Sequence, residues 1–232
     1  MYYFRPSNER GKARFGWLYS QHTFSFGHYY DPKYMGFSVL RVINDDTVKP
    51  GAGFNTHGHR DMEIISYILE GAIEHLDSQG NHFVVPAGEI QKMSAGTGIT
   101  HSEYNHSKTE QLKFLQIWIQ PDRKGIQPSY EQKSIAQAGK LTPLVTPEGR
   151  DNSLKIHQDA SLFRLQLSAG ESLKLDARER PGYLHIIDGG VSINGKHLLE
   201  AGDGLGLYKE QIELDAHTND ITALWFDLPI ME

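Results

Sequence analysis

The stretch Gly51-Ala-Gly-Phe-Asn-Thr-His57-Gly-His59-Arg-Asp-Met-Glu63 decides the fold, together with His101-Ser-Glu103 about forty residues further on. Each string carries a pair of metal-binding residue types separated by a single residue. Residues i and i+2 of an extended strand point to the same face, so each pair can converge on one ion. Three imidazoles and one carboxylate suit a divalent first-row metal, and an octahedral ion would keep open positions for other ligands.

The surroundings of the second pair make the pattern specific. The chain contains 12 His, so one such pair could arise by chance. Here, however, Gly80-(x5)-Pro86-x-Gly88 precedes the second pair, and the combined strings resemble the two sequence motifs of the cupin family. Cupins commonly carry a His at the position of Gln91. This chain instead reaches His101 after the longer turn Met93-Ser-Ala-Gly-Thr-Gly-Ile-Thr, which resembles the pirin branch of the cupins.

The resemblance covers nearly the whole chain. It runs through Gly16-Trp-Leu, His22-Thr-Phe-Ser-Phe-Gly-His-Tyr-Tyr-Asp-Pro32, Gly36-Phe-Ser-Val-Leu-Arg-Val-Ile-Asn-Asp-Asp46, the segment from Tyr67 to Gly71, and the closing Phe226-Asp-Leu-Pro229. It implies an all-β bicupin, made of two antiparallel, jelly-roll-like β-barrel domains. It also implies that His57, His59, His101 and Glu103 are the metal ligands. One departure is Gly58, where many relatives carry Pro, and Gly loosens the first pair.

A weak internal repeat supports two domains. The string Ile68-Leu-Glu-Gly71 and the later Pro86-Ala-Gly-Glu89 are echoed by Ile187-Asp-Gly189 and Glu200-Ala-Gly-Asp203. Matching Gly71 to Gly189 places Leu175 and Ala177 where the first copy has His57 and His59. We therefore expect a metal-binding domain over residues 1–125 and a degenerate cupin domain without metal ligands over residues 126–232. Pro and Gly between residues 120 and 150 mark the irregular chain at this divide.

Composition excludes several classes of protein. Hydrophobic residues make up 38% of the chain and its mean hydropathy is −0.49. No apolar stretch approaches the roughly 18 residues that span a bilayer, and the N-terminus has no secretory pattern, so we expect a cytoplasmic protein. The absence of Cys excludes disulfides and thiolate ligands. A formal net charge of −6 without a basic cluster argues against direct nucleic-acid binding. The oligomeric state is left open.

Several candidate residues keep two interpretations. Glu63 matches a Glu that many cupins use as a metal ligand. We instead expect it either to hydrogen-bond to a ligand without touching the metal or to face solvent. We interpret His22 and His28 as structural, and the aromatic stretch from Phe24 to Tyr30 as core packing and not as a stacking wall. The remaining histidines have no paired ligand at strand spacing and are interpreted as surface or hydrogen-bonded residues: His75, His82, His106, His157, His185, His197 and His217.

The resemblance favours a flavonol dioxygenase similar to bacterial quercetin 2,3-dioxygenases. A substrate hydroxyl would bind the metal and lose its proton, and reaction with dioxygen would open the ring and release carbon monoxide. Glu103 would act as the general base. Iron is the first expectation for the metal, with manganese, nickel, copper and zinc as alternatives. The partners would be a small planar phenolic substrate and O2.

Two other functions stay open at this point. Relatives in the family are described as metal-dependent transcriptional cofactors, and an acidic chain fits a regulatory role through a protein partner. Alternatively, quercetin turnover is incidental and the substrate is another enolisable small molecule. The ligand set alone does not separate these possibilities.

Overall fold

The computed structural model describes residues 2–231, which alternate short strands and turns. In chain order, the strands up to residue 134 are β1 (Tyr2–Arg5), β2 (Gly11–Arg14), β3 (Leu18–His22), β4 (Leu40–Val48), β5 (Gly53–His59), β6 (Glu63–Glu70), β7 (Ala72–Asp77), β8 (His82–Pro86), β9 (Glu89–Ser94), β10 (Ile99–Asn105), β11 (Leu112–Ile119) and β12 (Ser129–Ser134).

The later strands are β13 (Leu141–Thr146), β14 (Leu154–Lys155), β15 (Ser161–Leu167), β16 (Ser172–Ala177), β17 (Gly182–Asp188), β18 (Gly190–Ile193), β19 (His197–Glu200), β20 (Gly204–Leu207), β21 (Glu210–Asp215) and β22 (Ile221–Asp227). Helical structure in residues 2–231 consists of two 3₁₀ turns, Ser7–Glu9 and Arg150–Asn152. Accordingly, no helix in this part of the chain has the length and apolar character needed to cross a membrane. The expectation of an all-β fold is confirmed.

The chain divides into two compact units. The N-terminal unit comprises Gly11–Ile135 and Ile156–Gln158, and the C-terminal unit comprises Ala136–Lys155, the chain from Asp159 onward and the segment up to Arg10. The boundary therefore lies ten residues beyond the expected division at 125/126. The first segment joins the C-terminal unit because β1 pairs with β20 in that unit. The sequence motifs did not reveal that β1 belongs to the C-terminal unit.

Each unit is built from two separate sheets and not from a closed barrel. The N-terminal unit has a seven-stranded sheet, β12-β9-β6-β11-β4-β3-β2, and a four-stranded sheet, β5-β10-β7-β8. The C-terminal unit repeats this plan with β1-β20-β17-β22-β15-β13-β14 and β16-β21-β18-β19. The pairs are antiparallel except for the short parallel contact of β13 with β14. The matching strand orders support the internal repeat.

A sandwiched core fills the N-terminal unit. One cluster of buried residues joins Ile68, Leu112 and Phe114 of the large sheet to Ile73 and Val85 of the small sheet. In β10 the buried positions alternate from Ile99 through His101 and Glu103 to Asn105, as expected for a strand with one face inside. The two predicted ligands of β10 therefore point into the sandwich.

Strands β5 and β10 meet in a register that includes a bulge. His101 lies opposite His57, but Glu103 lies opposite Phe54, so β5 has one extra residue between these pairs. A bulge shifts the face on which the following residues lie. Phe54 and His57, three positions apart, are therefore both opposite inward-facing residues of β10.

Two glycines of β5 provide a matched test of this close pairing. A Cβ on Gly53 would overlap the main chain of Glu103 and Tyr104, whereas a Cβ on Gly58 would lie 3.7 Å from Thr100. We expect Gly53→Ala to lower the free energy of unfolding by about 1–3 kcal/mol, because β5 must move away from β10. Gly58→Ala should be tolerated. Urea unfolding of both variants measures the difference, and equal stabilities would contradict the packing argument.

Candidate metal centre

Three imidazole nitrogens converge between β5 and β10. The Nε2 atom of His101 lies 3.0 Å from Nε2 of His59 and 3.1 Å from Nε2 of His57. The first pair projects from β5 as i and i+2 residues, and His101 projects from the strand opposite. The structure therefore brings together all three of the predicted histidine ligands.

The protonation of these rings favours a cation between them. The Nδ1 atom of His57 lies 2.7 Å from the carbonyl oxygen of Asn55, which can only accept, so Nδ1 donates and Nε2 is the nitrogen left to bind a metal. Burial, and then the charges that neighbouring imidazoles would carry, lower the pKa of His59 and of His101 to about 3. Both rings are neutral at pH 7, which is the form that binds metals.

The spacing of the nitrogens fits a transition-metal ion. Metal–nitrogen bonds of about 2.0–2.1 Å at right angles place two nitrogens about 3 Å apart. The donor set of three imidazoles suits zinc, copper, iron or nickel. A metal ion would accept all three lone pairs at once, whereas a single proton could bridge only two of them.

Glu103 lies next to this group without belonging to it. Its carboxylate clusters with His101 and His75, and the ligand atoms of those three residues lie within 4.8 Å of one another. All three of these side chains are buried. Sequence analysis missed His75, although His75-x-Asp77 is itself an i, i+2 pair on β7, because Asp77-Ser-Gln-Gly80 also has the composition of a hairpin turn. In the structure Nε2 of His75 lies 3.2 Å from Asp77.

Hydrogen bonds from the opposite sheet hold the Glu103 carboxylate. Its Oε1 accepts bonds from Gln91 at 2.9 Å and from Ser66 at 3.3 Å, and its Oε2 accepts one from Gln116 at 2.9 Å. Burial raises the pKa of Glu103, while nearby histidines and two of these hydrogen bonds lower it. A carboxylate has about four lone-pair sites, so one site on Oε2 is left to bind a cation.

These donors belong to one polar row across the large sheet. Cross-strand register aligns the row from β3 to β12, and its members are His22, Asn44, Gln116, Ser66, Gln91 and Gln132. The Tyr130 hydroxyl lies at the end of the row, 2.9 Å from Gln91 Oε1 and 2.8 Å from Gln132 Oε1, and its single proton can be donated to either oxygen. Gln91, at the position where cupins commonly carry a His, thus hydrogen-bonds to Glu103.

Glu63 points away from the metal centre. It lies three residues before Ser66 on β6, so the two side chains are on opposite faces of the sheet. Its Oε2 accepts a 2.9 Å bond from Ser94 and lies 3.9 Å from the Lys92 ammonium group. Glu63 is fully buried. It is therefore neither brought to the three imidazoles nor solvent-facing, and it forms a buried ion pair.

A cavity of about 690 Å³ opens beside His57 and His59. Its aromatic lining includes Phe15, Trp17, Phe26, Tyr29, Phe54 and Trp118. Trp118 stands edge-on to His59 and to Phe26, at ring distances of 5.1 and 5.3 Å. The interpretation of the Phe24–Tyr30 stretch as core packing was therefore incomplete. Phe24 is buried, but Phe26 and Tyr29 form part of the cavity wall.

One part of the cavity lining is polar. It comprises Ser20, His22, Asn44, Asp46 and Gln116. His22 Nδ1 lies 2.8 Å from Asn44 Oδ1 and 3.3 Å from the Ser20 hydroxyl. Burial raises the pKa of Asp46 to about 7, and a hydrogen bond from Ser20 opposes that rise. His22 and His28, which we had interpreted as structural, both line this cavity.

The hydrogen bonds to Glu103 generate a prediction for metal affinity. Gln91→Ala removes one donor from the carboxylate, so we expect the dissociation constant for Ni²⁺ to rise about 10- to 100-fold. Gln132→Ala is the matched control, because Gln132 shares the Tyr130 contact but does not bond to Glu103. Competition titration against a chelator measures both variants. Equal losses in the two variants would contradict a role exerted through Glu103.

The raised pKa of Asp46 generates a prediction for stability. In the unfolded chain this carboxyl ionises near its ordinary value of 3.8, but in the folded chain it ionises near 7. The wild type should lose stability relative to Asp46→Asn as pH rises from 5 to 7, by about 1.4 kcal/mol per pH unit. Urea unfolding of metal-free protein at several pH values measures the difference. Asp45→Asn, on the opposite face of β4, removes a smaller cause of the raised pKa and leaves the burial of Asp46 in place, so it should retain most of the wild-type pH dependence. A profile for Asp46→Asn that parallels the wild type would refute the assignment.

Comparisons with known proteins agree with this geometry. A profile of the Pirin family matches residues 3–119, and a profile of the quercetinase C-terminal cupin domain matches residues 143–228. The quercetin 2,3-dioxygenase of Escherichia coli K12 is 51% identical over 230 residues, covering 99% of each chain.

Solved structures extend the agreement to the whole fold. The crystal structure of YhhW from Escherichia coli superposes with a TM-score of 0.95 at 50% identity, covering 100% of both chains. Bacterial pirin YhhW in complex with nickel(II), from the same organism, gives 0.94 at 51% identity, again over 100% of both chains. The chain therefore belongs to the pirin family, and its fold is that of a protein with two cupin-type domains.

Proposed function

We propose that this protein is a metal-dependent dioxygenase that cleaves a flavonol such as quercetin with O2. The observation that carries the proposal is the convergence of three Nε2 atoms at the wall of an aromatic-lined cavity. Its substrate class rests on the 51% identity to the quercetin 2,3-dioxygenase of Escherichia coli. The ion would be held by His57, His59, His101 and Glu103.

Glu103 completes this ligand set through Oε2. That oxygen accepts one hydrogen bond, from Gln116, and keeps a second lone pair. The carboxylate already lies beside His101. Iron is the first ion to test, together with nickel, because imidazole and carboxylate donors accept most of the first-row series.

The bound ion would act as a Lewis acid that acidifies a coordinated hydroxyl group and supports reaction with oxygen. Glu103 would be the general base that receives the hydroxyl proton. Burial raises the pKa of Glu103, which makes the carboxylate a stronger base, and the hydrogen bonds from Ser66, Gln91 and Gln116 would keep it oriented toward a bound ion. The sequence thus supplies both a base and the groups that hold it in place.

The cavity suits a planar phenolic substrate. Its volume of about 690 Å³ lies within the range of about 300–1,000 Å³ that is usual for small-molecule sites. Trp17 and Phe54 meet edge to face at 5.1 Å on one side, and Phe26 and Trp118 form another wall. Such walls pack against aromatic rings and exclude water from the reacting atoms.

Oxygen uptake with quercetin tests the proposal on protein that is stripped of metal and reloaded with one ion at a time. We expect metal-dependent uptake that falls at least about 100-fold in His101→Ala and in Glu103→Gln, because these changes remove a ligand and the base. His82→Ala is the control, since His82 is exposed and bonds to Glu74. Stoichiometric metal binding without uptake for any ion would refute the dioxygenase and favour a regulatory, partner-binding role.

A further inference from the structure

Asp46 is a buried cavity residue with an unsatisfied acceptor atom. Its side chain projects from β4 and is 2% exposed. Oδ1 has no hydrogen-bond partner among residues 2–231, although Ser20 bonds to the carboxyl group. Buried polar atoms in folded proteins are nearly always paired, so an orphaned carboxyl oxygen requires an explanation. Because Asp46 lines the cavity, a bound molecule can provide the missing partner.

The position of Asp46 separates it from the metal centre. Asn44 lies in the polar row opposite Gln116, which bonds to Glu103. Asp46 is the next residue on the same face of β4, about 7 Å further along the strand. A molecule that binds at His57 and His59 and also touches Asp46, all of which line the cavity, must therefore carry polar groups at two separated positions, as a polyhydroxylated flavonol does.

We propose that Asp46 is a specificity-determining residue whose carboxyl group accepts a hydrogen bond from a second phenolic hydroxyl, remote from the hydroxyl at the metal centre. This inference rests on the proposed function, because it assigns the second contact of the same substrate. A site that hydrogen-bonds a substrate hydroxyl rejects analogues that lack it, since the buried group is then left unpaired. The protein would thus select flavonols that carry hydroxyls beyond the one that binds the metal.

The surroundings of Asp46 favour recognition over a purely structural role. A structural carboxylate normally accepts several bonds from the protein, as Glu103 does, but Asp46 receives one from Ser20 and leaves Oδ1 without a partner. Burial raises its pKa, and the nearby acidic residues Asp45 and Glu103 raise it further. A phenol, which is a strong donor, fits such an acceptor.

The test compares the binding of two flavonols to nickel-loaded protein without oxygen. Quercetin carries several hydroxyls, whereas 3-hydroxyflavone keeps only the one that would bind the metal. Quenching of the fluorescence of Trp17 and Trp118, which line the cavity, reports binding without turnover. The variants are Asp46→Ala, Asp46→Asn, which keeps the size and an acceptor oxygen, and Asp45→Ala, which removes a charge from the opposite face of β4.

We expect Asp46→Ala to weaken quercetin binding about 10- to 100-fold and to change 3-hydroxyflavone binding less than about threefold. Asp46→Asn should lose less affinity for quercetin than Asp46→Ala, and Asp45→Ala should leave both affinities unchanged. Equal losses for the two flavonols, or no loss for quercetin in either Asp46 variant, would overturn the proposal.

The same measurement distinguishes the two proposals. If the wild type binds both flavonols but consumes no oxygen with them, the dioxygenase fails while the comparison of affinities still decides the role of Asp46. If the wild type binds neither flavonol, the specificity role of Asp46 is overturned together with the substrate class.

Discussion

The buried carboxylate of Glu103 is the constraint on which the N-terminal unit depends. A carboxylate that is 1% exposed is destabilising unless hydrogen bonds replace its lost water. The donors come from three strands of the opposite sheet, through Ser66 on β6, Gln91 on β9 and Gln116 on β11. They can reach one carboxylate only if those strands pair in the observed register and the two sheets face each other. The hydrogen bonds to Glu103 and the packing of the two sheets therefore require the same strand register.

Apolar layers on both sides of the polar row complete this arrangement. On β6 the inward-facing residues are Ile64, Ser66 and Ile68, and the two isoleucines belong to separate hydrophobic clusters. These layers exclude water from Ser66 and Gln91 in the middle of the row, which strengthens their hydrogen bonds and makes an unpaired atom there more costly. The same burial lowers the pKa of His59 and His101 and raises that of Glu103, so one physical cause shifts all three groups toward their neutral forms.

The sequence predicts the converging histidines better than it predicts the residues that hydrogen-bond to Glu103. The i, i+2 rule placed His57 and His59 on one face, and the β-branched run at His82–Pro86 predicts a strand that the structure has as β8. A similar run at residues 37–43 also predicts a strand, but β4 begins at Leu40, because Ser38 adopts a positive φ in a tight turn before it. The polar row was not predictable, since it depends on the register of six strands far apart in sequence. Its one local signal was Gln91 in place of the usual His.

The two units share a topology but differ in their interior residues, so the topology alone does not produce the cluster of histidines. Strands β16 and β21 occupy the same places in their four-stranded sheet as β5 and β10 do in theirs. The pair His57 and His101 then corresponds to Leu175 and Ile212, which are also cross-strand partners and belong to a hydrophobic core. Hydrophobic burial stabilises that sandwich without a polar row. Because the fold tolerates either interior, the converging histidines of the N-terminal unit, and the hydrogen bonds that orient Glu103, reflect a requirement of function and not of folding.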